Sequence, residues 1–92
     1  METVEKKVPD IDRIRSIYDE HEVRAATYQG RDLTNAERLN LGLDALVAVC
    51  RDDGRSIADF ERASEAMQEQ INKGETLGVA VSAGVESFGQ EQ

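Results

Sequence analysis

The tetrapeptide DEHE, residues 19 to 22, sets three carboxylates around the only histidine of the chain. Carboxylates beside an imidazole can hold a metal ion or pass protons. Helical geometry argues against both uses here. The side chains that share a face with His21 on a helix lie three and four positions away, at Ile17, Tyr18, Arg24 and Ala25. None of these is a strong ligand, and the second histidine that H-E-x-x-H zinc sites place one turn on is missing. Asp19, Glu20 and Glu22 are therefore expected to face water, with His21 at the edge of a packing stripe.

Cys50 and His21 form the next chemical pair to test, because both fall on apolar stripes. If the first two helices form an antiparallel hairpin, Cys50 lies opposite Ile14. His21 is then seven residues further on, about 10 Å along the axis at 1.5 Å per residue. A nucleophile and its base must be within hydrogen-bond reach, so the pair fails and Cys50 reads as a small buried hydrophobe. No GxxxxGK[ST] or GxGxxG loop is present to cradle a phosphate, and no C-x-x-C supports zinc. The expectation is a protein that is not an enzyme and holds no cofactor or metal.

A different pattern lies further along. Glu61, Glu65 and Glu69 recur at i,i+4, one carboxylate about every 6 Å on a helix. That spacing is near the separation of neighbouring phosphates along one nucleic-acid strand. Such a row can engage an arginine-lined groove that otherwise holds DNA or RNA. Asp52, Asp53 and Asp59 extend the candidate partner-binding set. The competing explanation is a solvated face that keeps a small protein soluble. The same acids argue against a helix-turn-helix, whose recognition helix must present positive charge to phosphate.

Four elements are expected to position these groups, in an all-α bundle. The first helix covers about 10–29. Asp10 is its N-cap, Ile11, Ile14, Tyr18, His21, Ala25 and Tyr28 form its stripe, and Gly30 follows its end. The second covers about 35–53, behind a Thr34/Glu37 capping box. It is apolar over most of its circumference, which predicts a central position, and Gly42 predicts a close helix approach. The third covers about 57–73, with Ser56 and Asp59 at capping-box spacing and Ile57, Phe60, Ala63, Met67 and Ile71 inward. Residues 76–88 are ambiguous. Leu77, Val79, Val81, Ala83 and Val85 alternate as in a strand, while Leu77, Val81, Val85 and Phe88 recur as in a helix. A lone strand would leave its ladder unpaired, so a short fourth helix capped by Thr76 is expected. Residues 1–9 read as an arm ending at Pro9, 89–92 as a tail, and 1–92 as a single small domain.

Composition sets the function class. The chain has 92 residues and a formal net charge of -8. The acidity disfavours direct nucleic-acid binding and anionic membranes, and favours a basic surface on a protein or ribonucleoprotein complex. The core must be thin and without tryptophan, which predicts a homodimer. One cysteine and no apolar leader predict a cytoplasmic protein. The function expected from these features is an acidic protein-binding module acting as an inhibitor or accessory factor. In size and charge it is similar to small phage and mobile-element inhibitors such as anti-CRISPR proteins. The alternatives are an oligomeric structural subunit assembling through the second helix and LGVAVSAGV, or an antitoxin or small transcriptional regulator.

Overall fold

A computed structural model describes residues 10–90. The arm expected over 1–9 and residues 91–92 of the expected tail lie outside the described residues. Four helices appear in the expected order: α1 (Ile11–Gln29), α2 (Asn35–Asp53), α3 (Ile57–Asn72) and α4 (Leu77–Glu86). A short 3-10 turn, Ser87–Gln90, follows α4. It takes in the first half of the expected tail. No strand occurs among the described residues, so the alternation in 77–85 reflects a helix buried on nearly all sides.

The helices start and stop where local chemistry directs. Asp10 accepts a hydrogen bond from the Arg13 amide at 3.1 Å and opens α1. Thr34 with Glu37, and Ser56 with Asp59, form complete capping boxes before α2 and α3. The Thr76 hydroxyl accepts from the Val79 amide at 3.2 Å before α4. Gly30 and Gly54 close α1 and α2 in the left-handed conformation, at φ of 74° and 66°. That conformation burdens residues with a Cβ.

The packing departs from the expected plan in one respect: the centre of the fold is α4, not α2. Leu77, Ala80, Val81 and Val85 are all buried, and α4 contacts each of the other helices, α1 and α3 most extensively. α2 lies on α3 and α4 and leaves Val47 and Ala48 on the surface. The expected α1–α2 hairpin does not form, because α1 lies along α4 instead. The physical reason is helix girth. α4 carries small residues where neighbours press closest. A Cβ on Gly84 would meet the Ala63 carbonyl oxygen at 2.9 Å, and one on Gly78 would collide with the Arg15 carbonyl and the Asp19 carboxylate. Gly42 of α2 does mark a close approach, since a Cβ there would run into the Met67 thioether.

The core is one cluster. Leu46, Met67, Ile71, Leu77, Val81 and Val85 are its largest enclosed side chains. Each such burial contributes about 1.5–3 kcal/mol. Ile11, Ile14 and Tyr18 of α1 pack against it from outside. Ser82 and Ser87 sit inside α4 and the turn after it, and their hydroxyls donate to the Val79 and Gly84 carbonyls three residues back. No described helix is long and apolar enough to cross a membrane.

Candidate functional site

The acids of the chain divide into those turned inward and those left outside, and DEHE supplies the inward ones. Asp19 and Glu22 do not face water as expected. The Leu77 amide donates to Glu22 Oε1 at 2.7 Å, and the Gly78 amide donates to Asp19 Oδ1 at 3.0 Å. These are the first two amides of α4, which lack partners within their own helix. Alone among the four helices, α4 has no acidic residue in its own first turn. α1 supplies the two negative charges that the positive end of the α4 dipole favours. The i,i+3 spacing of Asp19 and Glu22 puts both carboxylates on the one face of α1 that meets α4.

A third helix joins this junction. Arg38 of α2 donates from Nε to the other Glu22 oxygen at 2.7 Å. The two side chains are only 19% and 13% exposed. Glu22 thus ties α1, α2 and α4 together through its two oxygens. Glu20 behaves as expected: it is exposed and pairs loosely with Arg24 at 3.8 Å. His21 is also exposed, beside the Tyr18 ring at a centroid distance of 6.2 Å.

The second acidic group, the candidate partner-binding residues, is only partly brought together. Glu61, Glu65 and Glu69 all lie exposed on the outer side of α3. Among the described residues Glu61 and Glu65 pair with no cation. Glu69 has a weak exposed contact with Lys73 at 3.9 Å. Asp52 and Asp53 are exposed at the end of α2, and Asp53 lies 3.5 Å from Arg55.

Asp59 does not belong to that surface. It is 5% exposed, accepts from Arg62 at 3.0 Å, lies 3.9 Å from Arg55 and closes the capping box on the Ser56 amide. The capping role that Asp59 was expected to have draws its carboxylate back over the α3 start and away from the outer face. Arg55 in turn lies over the Phe88 ring, 4.6 Å from its centroid. Asp59 and Arg55 therefore fasten the α2–α3 turn to the segment that follows α4.

Cys50 is buried and unpaired. Burial raises its thiol pKa, and the negative charge of Asp59 adds to the rise. Activated cysteines need the opposite shift. Among the described residues no three of the His, Cys, Asp or Glu side chains are grouped so as to hold a metal ion.

One further carboxylate is tuned. Glu37 receives both guanidinium nitrogens of Arg31, at 2.9 and 2.8 Å, and the Thr34 amide at 2.8 Å. The Arg31 hydrogen bonds, with the Thr34 amide next, bring its pKa down to about 2. The same pairing raises Arg31.

The α1–α2–α4 junction escaped sequence reasoning because its partners are far apart in the chain. The usable signal was the missing acid at the start of α4, together with two acids at i,i+3 elsewhere. No protein-family model, curated protein or solved structure matches this chain.

Proposed function

We propose that this chain is a non-enzymatic acidic binding module that occupies a basic, nucleic-acid-binding surface of a larger protein or ribonucleoprotein complex. The observation that carries the proposal is the state of Glu61, Glu65 and Glu69. The fold uses Asp19, Glu22, Glu37 and Asp59 for its own caps and ion pairs, and leaves this row of three exposed on one helix face, with a single loose contact from Glu69 to Lys73. Like charges at i,i+4 cost a few tenths of a kcal/mol per pair. Arg62, the cation of the same segment, is bonded inward to Asp59. The row, compensated only by the loose Glu69–Lys73 contact and with Asp52 nearby in sequence, fits a groove of arginines and lysines better than it serves the bundle. In scale and charge the module is like phage inhibitors of the anti-CRISPR kind.

A basic partner captured at low salt and released at high salt is the expected behaviour. Replacing Glu61, Glu65 and Glu69 together by lysine is expected to abolish capture while the helical circular dichroism stays unchanged. Capture that survives the triple reversal overturns the proposal. The alternative, assembly through the second helix and LGVAVSAGV, keeps support only from its first part: Val47 and Ala48 of α2 are exposed, whereas Leu77, Ala80, Val81 and Val85 are enclosed by the chain's own helices.

A further inference from the structure

α1 is the one helix that buries no residue completely. Ile11, Ile14 and Tyr18 press on the core along one edge, and Glu22 meets the first residue of α4. The seven residues after it, 23–29, run on past that point. On the outer side of α1, Ile17, Val23 and Tyr28 are 45%, 64% and 93% exposed. Isolated exposed apolar residues are ordinary. Three of them on one helix, with shallow depressions on both sides of Tyr28, are not isolated.

The order of residues on that face points to its occupant. Ile17, Glu20, Arg24 and Tyr28 fall within a sector of about 80° at 100° per residue. The sequence of types is apolar, acid, base, apolar. Reversed, it becomes apolar, base, acid, apolar. A second α1 laid antiparallel across a two-fold axis therefore brings Glu20 opposite Arg24 and Ile17 opposite Tyr28, each twice. The midpoints of both pairs fall at Glu22 to within about half a residue, so one axis serves both. A uniformly basic or uniformly acidic partner would leave one of the two charges opposed. The helix is also nearly balanced, with four acids against three arginines, in a chain that is strongly acidic overall. Two copies meeting here would face little of the repulsion that their α3 faces would generate.

We infer that the outer face of α1 carrying Ile17, Glu20, Arg24 and Tyr28, on the side of the helix away from Glu22 and with its two-fold axis at the level of residue 22, is the contact of an antiparallel two-fold homodimer. The contact is isologous: the same patch serves both copies, and closure at two is automatic. Tyr28 is the anchor, since a covered aromatic side chain buries roughly 150–250 Å² and such residues dominate interface energetics. The α3 acids take no part in it, so this inference stands or falls independently of the proposed function.

The test is sedimentation velocity over a wide concentration range on the full chain. The wild type is expected to dimerise. Tyr28→Ala and Ile17→Ala, both at exposed positions, are each expected to raise the dimer dissociation constant by roughly tenfold or more with helicity unchanged. Glu20→Arg and Arg24→Glu separately place like charges across the axis and are expected to be monomeric. Mixed in equal amounts, the two variants restore both opposite-charge contacts and are expected to form a one-to-one heterodimer. A chain that stays monomeric throughout overturns the inference and leaves the face to a different protein. A dimer indifferent to Tyr28→Ala, or single-charge variants that fail to pair on mixing, overturns it equally.

Discussion

Asp19 with Glu22 on α1, and Glu61 with Glu65 and Glu69 on α3, are acids spaced at one helical turn, and in the folded chain they do opposite things. The first two receive backbone amides of α4 and an arginine of α2. The other three stand in solvent. The difference lies in what arrives beside them. α4 begins against α1 with unsatisfied amides and no acid of its own. α3 starts within its own capping box, and among the described residues no backbone amide of another helix donates to Glu61, Glu65 or Glu69. Whether a carboxylate row is structural or available is decided by the location of other helices' N-termini, not by the row itself.

The largest test of this contrast is Glu22→Ala. It removes the acceptor of the Leu77 amide and leaves Arg38 mostly enclosed without its partner. A loss of about 2–3 kcal/mol is expected, read as a lowered urea midpoint at constant slope. A loss below about 0.5 kcal/mol would place Glu22 with ordinary surface acids and erase the contrast.

Gly78→Ala follows in size. Helix propensity alone would make it stabilising by about 0.8–1.0 kcal/mol. The collision with the Arg15 carbonyl and the Asp19 carboxylate instead predicts destabilisation of about 1–3 kcal/mol. The sign of the change in melting temperature settles which holds.

On the other side of the comparison, changing Glu61, Glu65 and Glu69 together to glutamine removes mutual repulsion. Stability is expected to stay within about 0.5 kcal/mol of wild type, or rise slightly. A loss beyond about 1 kcal/mol in the same urea titration would mean that the row does structural duty after all.

Glu37 stands between the two groups, exposed yet used. Its folded pKa of about 2 lies below the ordinary glutamate value of about 4.3. A depressed folded value adds stability that is present above the unfolded pKa and lost as pH falls through the folded one. Between about pH 5 and pH 2, Glu37→Gln is therefore expected to flatten the acid loss of stability relative to wild type, modestly, because the pair is exposed to solvent. Parallel pH profiles for the two proteins would show that the Arg31 pair adds nothing.

The helices were legible in the sequence where their causes are local. Thr34 and Glu37, or Ser56 and Asp59, lie three residues apart and satisfy each other's backbone whatever the rest of the chain does. The same holds for Gly30 and Gly54. What stayed hidden depends on separation. Glu22 reaches an amide 55 residues away and Asp19 one 59 residues away. No periodicity within α1 carries that information. The centre of the bundle was misplaced for a related reason. α2 has the longer apolar run, but Asp44, Arg51, Asp52 and Asp53 interrupt its surface, whereas α4 carries no charge before Glu86. Its glycines read as weak helix formers when their purpose was to let three neighbours come near. Of the acidic surface, Glu61, Glu65 and Glu69 are exposed as their helical spacing implies, whereas Asp59 is buried because capping α3 draws its carboxylate inward.

The central position of α4 has a consequence for how the molecule is made. The segment that every other helix leans on is the last of the four to leave the ribosome. A nascent chain that has emitted residues 11 to 72 holds α2 and α3, which pack on each other, but α1 waits for a partner roughly sixty residues downstream. Contacts of that sequence separation slow folding relative to neighbouring-helix bundles. Until residues 77–86 emerge, the apolar edges of α1, α2 and α3 that α4 covers remain open to chaperones or to one another, so the native arrangement is completed only after translation of that stretch.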